Sequence, residues 1–161
     1  MYHLLLSAPR EYLIIMENPF FLFIHSLLRY GVLLLVAWAG IVHLRGYLLQ
    51  RPILNGDRAL AIAAMVVCHI QLVIGMILYI SNFEAYKNMT GDMGRFWKME
   101  HLGTMLIAII LVTVGRMMSK RAKEERIKQR HIAIFYLIAL VLILWAIPWP
   151  YTTVGHGRGW L

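Results

Sequence analysis

The sequence is poor in cysteine and in charged residues, and each shortage excludes a class of protein. A single cysteine, Cys68, excludes an internal disulfide and a zinc site built from several thiolates. Charged residues make up only 15% of the chain and hydrophobic residues 60%, whereas soluble domains have about 25% and about 45–50%. No nucleophile is paired with a base, so the chain carries no catalytic group of that kind, and a stand-alone enzyme is not predicted.

Four apolar stretches are long enough to cross a membrane, which takes about 20 residues. They cover roughly residues 20–49, 59–81, 99–118 and 132–149, and the short connections leave no room for a soluble domain. Short connections favour antiparallel neighbours. We therefore predict an all-α integral membrane protein, a four-helix up-down-up-down bundle with helices one and three on the diagonal. Residues 19–161 would form this single membrane domain. Residues 1–18 would be an interfacial segment or an extension upstream of a start at Met16.

The basic residues outnumber the acidic ones by 16 to 8, and their placement indicates a membrane topology. Ten of the sixteen lie in the two connections that follow spans one and three or just before the ends of those spans. Connections rich in Lys and Arg remain in the cytoplasm, so we predict that both of these are cytoplasmic and that both termini lie outside. Topology accounts for the net charge of +8, so no nucleic acid is expected as a partner. The expected partner is the lipid bilayer.

Two histidines lie within the predicted spans at matching depth. His25 is a short way into span one, and His101 opens span three, so each lies about 12 Å outward of its helix midpoint. Ionisable residues inside a membrane indicate a functional site. Two histidines that face each other across a bundle suit the two axial positions of a haem iron, whereas zinc takes four ligands. We predict a bis-histidine haem b in the outer half of the bundle. The alternative is that each histidine bonds a carbonyl of a neighbouring helix.

Arg29 lies one helical turn after His25, on the same face of span one. Its guanidinium would pair with a haem propionate through two hydrogen bonds; the alternative is that it reaches to the outer interface. Small side chains continue both faces and would leave clearance for a flat ring. These stripes comprise Val32, Val36, Ala39, Gly40 and His43 in span one, and Thr104, Met105, Ala108, Val112 and Gly115 in span three.

Other polar residues of the spans leave further pairings open. His69 lies near the middle of span two, about 12 Å deeper than His25 and His101, so a ligand pair that includes it ranks second. The His69 side chain could also contact the edge of the haem ring. His43 is predicted at the cytoplasmic interface, where His131 could join it around a second haem. Glu100 is predicted to be an interfacial charge that could accept a proton from a quinol.

Several segments resemble a known family. The order "HSLLRYGVLLL", "HIQLVIGMILYISN", "MEHLGTMLIAIILVTVGR" and "KRAKEERIKQRHIAIFYLIALVLILWAIPWP" resembles small bacterial four-helix membrane proteins labelled cytochrome b. The likeness runs from about Phe23 to the C-terminus, with "IPWP" and "VGRxxSKRA" as its most specific parts. More distantly, a histidine, then "QxxxG", then a histidine opening a third helix is similar to one haem-binding half of haem A synthase. There the two histidines are axial ligands, which implies His25 and His101 here. The Glu-containing motif of haem A synthesis is missing before His25.

The residues and the resemblance together predict a function. The chain would be a multi-pass b-type cytochrome-like protein of the bacterial inner membrane. It would transfer electrons, with quinol as one candidate donor, as a subunit of a larger membrane complex. One alternative is a cofactor-free structural or assembly subunit, whose histidines pack or relay protons. Another is the handling of haem or lipid without electron transfer.

Overall fold

The computed structural model describes residues 19–156 and 160, and this part of the chain is all-helical. Its elements are α1 (Pro19–Leu48), α2 (Asn55–Ser81), α3 (Phe83–Asn88), α4 (Gly91–Arg95), a π-helical turn (Phe96–Glu100), α5 (His101–Arg121) and α6 (Glu125–Ala146). Four helical runs are long and apolar enough to cross a membrane: α1, α2, the continuous run Gly91–Arg121, and α6. The prediction of an all-α, multi-pass membrane protein with four spans is confirmed at this level. The predicted N-terminal segment 1–18 lies outside the described residues.

Two span boundaries differ from the prediction because charged residues enter helices. Helix α2 begins at Asn55, four residues before the predicted start at residue 59, because the Asp57 carboxylate accepts the Leu54 N–H at 3.0 Å and caps the helix. Helix α6 begins at Glu125, within the charged stretch, and only residues 122–124 separate it from α5. At its other end, α6 stops at Ala146, ahead of Pro148, since the residue before a proline avoids helical geometry.

The connection between α2 and α5 is folded rather than a plain loop. It contains α3, α4 and the π-helical turn, which runs directly into α5. Within this connection the side chain of Phe96 is buried. A π-helical turn is wider than an α-turn and often occurs beside a functional site. Here it directly precedes His101.

Small residues bring the long helices together. Helix α6 packs against both α1 and α5, α1 packs against α2, and the seam between α2 and α5 is the least extensive of these. A Cβ added at Gly40 would lie 2.8 Å from Leu137 Cδ2, and one at Gly115 would lie 2.5 Å from Phe135 Cβ. The Tyr136 hydroxyl donates to the Ala61 carbonyl at 2.7 Å. Large apolar side chains cover the outside of the helices, as lipid contact requires.

Candidate functional site

The imidazole rings of His25 and His101 lie next to each other at one end of the helices. Their centroids are 6.4 Å apart and their planes meet at 67°. His25 is part of the second turn of α1, and His101 is the first residue of α5. The structure therefore brings these two site residues together from helices that are far apart in the sequence.

The His101 ring is held on several sides. Its Nδ1 lies 2.8 Å from the carbonyl oxygen of Ala146, the last residue of α6. Because a carbonyl only accepts, Nδ1 carries the hydrogen and the lone pair of the ring is on Nε2. The rings of Phe96 and Trp97, both in the π-helical turn, lie 5.8 and 5.5 Å from the His101 ring. The turn and the end of α6 thus fix both the position and the tautomer of this histidine.

Helix α2 forms a cradle for His25. The Gln71 side-chain amide donates to the His25 carbonyl at 2.9 Å. One turn later, Gly75 faces the ring, and a Cβ there would lie 3.0 Å from His25 Cε1 and 3.5 Å from Nδ1. These residues are the "QxxxG" of the sequence, where they served only as a mark of resemblance. Their four-residue spacing on one helical face was the signal that could have identified them as neighbours of a ligand.

One ring nitrogen of His25 lacks a hydrogen-bond partner in the described part of the chain. Its Nδ1 is buried there without a hydrogen-bond partner. An unpartnered buried polar atom costs about 1–3 kcal/mol, and a binding site for a further group is one physical reason for such an atom. This observation points to a ligand beside His25.

Arg29 lies at the same end of the molecule and turns towards the C-terminal segment. Its Nη2 donates to the Trp160 carbonyl and, at 3.0 Å, to the Tyr30 hydroxyl. The Tyr30 hydroxyl also donates to the Trp160 carbonyl at 2.6 Å. The guanidinium carbon is 4.8 Å from the Tyr30 ring centroid and 5.8 Å from that of Trp149. Arg29 therefore already has an acceptor and two aromatic neighbours.

His69 lies apart from this pair. Its Nδ1 is 2.7 Å from the Met65 carbonyl of its own helix, and its Nε2 is 3.4 Å from the Thr113 hydroxyl on α5. The ring is exposed at the thin seam between α2 and α5. The structure gives His69 a position at the lipid-facing surface.

His43 is buried among the helices near the end of α1, and its predicted depth at the cytoplasmic interface stays a prediction. The side chain is 0% exposed, its Nδ1 is 2.8 Å from the Ala39 carbonyl, and its Nε2 has no partner among the described residues. Close approach of α1 to α6 at Gly46 and Gln129 encloses this end of α1. His131, suggested as a partner of His43, instead lines a cavity at the turn between α5 and α6.

The predicted stripes of small residues serve helix packing over much of their length. Gly40 accommodates Leu137 and Gly115 accommodates Phe135, so both glycines face α6. Val36, Ala39, Ala108 and Val112 are fully buried in the core formed by the long helices. The expectation that these positions leave clearance for a flat ring is therefore wrong below the level of the two histidines.

Comparison with protein families, with curated proteins and with solved structures finds no match for this chain. The function is therefore inferred from the arrangement of His25, His101 and the residues around them.

The spacing of the two histidines fits axial ligation of one iron. Two imidazoles on opposite sides of a metal would have centroids roughly 6 Å apart, because each nitrogen binds at about 2 Å and lies about 1 Å from its ring centre. The observed 6.4 Å agrees. Within the described residues, no three His, Cys, Asp or Glu side chains lie close enough to hold a metal ion. A group that needs only two protein ligands fits this arrangement better than a bare metal ion does.

A cavity of about 230 Å³ opens beside His101. Its walls include Phe96, which contacts the His101 ring, and Ala146, whose carbonyl bonds that ring. Trp145 and Glu100 also line the cavity, and the Glu100 carboxylate accepts from Arg95 Nε at 2.6 Å. The cavity thus combines aromatic walls with one carboxylate a single residue from His101.

Proposed function

We propose that the protein is a membrane-bound, b-type cytochrome-like electron-transfer protein that holds one haem b between His25 and His101. The observation that carries the proposal is the 6.4 Å separation of the two imidazole centroids. Under this proposal the long helices form an up-down-up-down bundle, in which α1 and α5 are diagonal and supply one ligand each. The thin contact between α2 and α5 and the broad contacts of α6 with α1 and α5 support that order.

Each ligand would be oriented by residues around it. The Ala146 carbonyl holds His101 as the Nδ1–H tautomer, which leaves Nε2 as the coordinating nitrogen and makes it more basic. Gln71 and Gly75 fix the backbone and the ring of His25 from α2. Arg29 would exchange its bond with the Trp160 carbonyl for a propionate carboxylate. A haem bound here would supply one-electron redox chemistry, with its potential set by these neighbours.

Quinol is the electron donor that the surroundings support best. Quinols dissolve in the bilayer, and the cavity beside His101 offers aromatic walls and the Glu100 carboxylate. A quinol that is oxidised to a quinone loses two protons and two electrons. Glu100 would accept one proton once its bond to Arg95 opens, the second proton would pass to water at the membrane surface, and a one-electron acceptor would take the electrons one at a time. His101, whose ring lies 5.8 Å from the ring of Phe96 in the cavity wall, would hold the haem beside this cavity.

The proposed setting is the inner membrane of a bacterium, with both termini external and with other membrane subunits as partners. The exposed mid-span His69 and its neighbour Thr113 support a partner subunit, because polar side chains facing lipid alone are costly. A partner helix at the α2–α5 seam would cover both groups.

A second candidate is a cofactor-free structural or assembly subunit. The observation that favours it is that Arg29 and His101 already have acceptors within the chain, the Trp160 and Ala146 carbonyls. Under this alternative the histidines are packing groups. Removing either one would then change stability without changing any visible spectrum.

Three alanine substitutions separate the two candidates. His25→Ala and His101→Ala should each abolish a low-spin haem spectrum in the purified protein, while His69→Ala, the control from the neighbouring helix, should retain it. Helix content measured by circular dichroism shows that each variant is folded. Retention of the spectrum in His101→Ala together with its loss in His69→Ala would exclude the proposed ligand pair.

A further inference from the structure

The other end of the molecule has a second cavity, which the haem proposal does not use. It has a volume of about 370 Å³ and lies at the turn between α5 and α6. The walls that carry the argument are the side chains of Arg121, Lys123 and His131, together with apolar Met118 and Ile127. We propose that this cavity binds the phosphate group of an anionic membrane lipid.

The charge of the walls favours an anion. Arg121 and Lys123 contribute two positive charges and Glu124 one negative charge. Neither Arg121 nor Lys123 takes part in an ion pair within the described part of the chain, whereas the nearby Lys128 is paired with Glu125. The two unpaired cations are therefore available to a bound phosphate, and an arginine can grip two of its oxygens at once.

The start of α6 supplies further donors, and the His131 ring lines the cavity beside it. His131 Nδ1 is buried and has no hydrogen-bond partner among the described residues. Helix α6 begins beside the same cavity, and no side chain caps its first N–H groups. A helix N-terminus carries a partial positive charge and unpaired N–H groups, both of which favour a phosphate. Cationic side chains, a polar ring and a helix terminus thus meet at one cavity.

The position of the cavity selects a lipid as the source of the phosphate. The turn joins two apolar spans, so the cavity lies where hydrocarbon meets the headgroups. Met118 and Ile127 give it an apolar side on which an acyl chain would pack. Basic pockets between membrane helices at the headgroup level are typical binding sites for anionic lipids. Topology alone explains exposed basic residues, but it does not explain why two of them line one cavity together with apolar side chains.

The test uses the full chain in lipid nanodiscs. Nanodiscs made of phosphatidylcholine alone are compared with nanodiscs that contain phosphatidylglycerol, and lipid retained by the protein is counted by native mass spectrometry. Retention of phosphatidylglycerol should fall about tenfold for each charge-assisted contact removed, so Arg121→Gln and Lys123→Gln should each lower it by that factor. The matched control, Lys120→Gln with Arg130→Gln, removes two exposed charges outside the cavity, in the helices on either side of the turn.

The outcomes separate a lipid site from its rivals. Preferential retention of phosphatidylglycerol that is lost in the lining variants, kept in the control and partly restored in Arg121→Lys supports the proposal. Equal loss in the lining and control variants would overturn it in favour of general surface charge, as would equal retention of both lipids. A third arm adds inorganic phosphate. Binding of inorganic phosphate as tight as that of phosphatidylglycerol would keep the phosphate chemistry but overturn the lipid as its source.

Discussion

Gly75 offers a sharp test of how His25 is positioned. A methyl group at this position would lie 3.0 Å from His25 Cε1, whereas carbon atoms in favourable contact are about 3.5–4.0 Å apart. In Gly75→Ala the ring must therefore move by about 0.5 Å, which is larger than the roughly 0.2 Å tolerance of a metal–ligand distance. Disturbing the residues that orient a ligand typically lowers metal affinity by about 10–100-fold, and we expect haem affinity to fall within that range.

Gly75→Ala should leave the fold intact, so its effect on haem affinity can be separated from its effect on stability. Alanine is about 1 kcal/mol more favourable than glycine within a helix, so the unfolding free energy should stay level or rise. Gly103→Ala is the matched control, because nothing lies within 4 Å of a Cβ there and the position is close to His101. It should gain the same helix stability and keep its haem.

The assay is a titration of haem into each apoprotein in detergent, followed by the Soret band, with thermal unfolding measured in parallel. Equal haem affinity and an unchanged low-spin spectrum in Gly75→Ala and Gly103→Ala would refute the role assigned to α2 in placing the His25 ring.

Two further predictions concern charge and topology. Arg29→Gln should lower the midpoint potential, because loss of a nearby positive charge favours the oxidised iron. A charge about 10 Å away at an effective dielectric of about 20 contributes roughly 1.7 kcal/mol, or on the order of 70 mV, and Arg29→Lys should restore part of this shift. Redox titration measures the midpoint potential. A shift below about 10 mV would mean that Arg29 is only an interfacial anchor. Cysteines placed singly at Lys123 and Lys87 should lie on opposite sides of the membrane, so an impermeant thiol reagent should label only position 87 in intact cells. The native Cys68 is buried and should not react. Labelling of position 123 alone would mean that the topology is inverted.

The apolar spans could be predicted from the sequence because an apolar stretch of membrane length has few other uses. Their ends could not, because helix continuation depends on local caps and not on hydropathy. Helix α6 begins among charged residues, and Asp57 caps α2 two positions before the apolar stretch that begins at residue 59. Hydropathy alone contains neither signal.

The candidate site was accessible to sequence reasoning only in part. Helix geometry gave His25 and His101 the same depth, and this argument needs no tertiary contact. The burial of His43 could not be read in this way, since it depends on how closely Gly46 lets α6 approach α1. The contact between Arg29 and the Trp160 carbonyl joins residues that are far apart in the sequence, so no local sequence pattern predicts it.

The central claim is that one haem lies between His25 and His101, and a reduced-minus-oxidised absorption spectrum tests it most directly. The full chain is expressed with haem available, purified in detergent, and shown to be folded by its helix content. The account predicts a sharp α-band on reduction, typical of low-spin iron with two histidine ligands. A flat difference spectrum from folded, full-length protein would contradict it and favour the cofactor-free subunit.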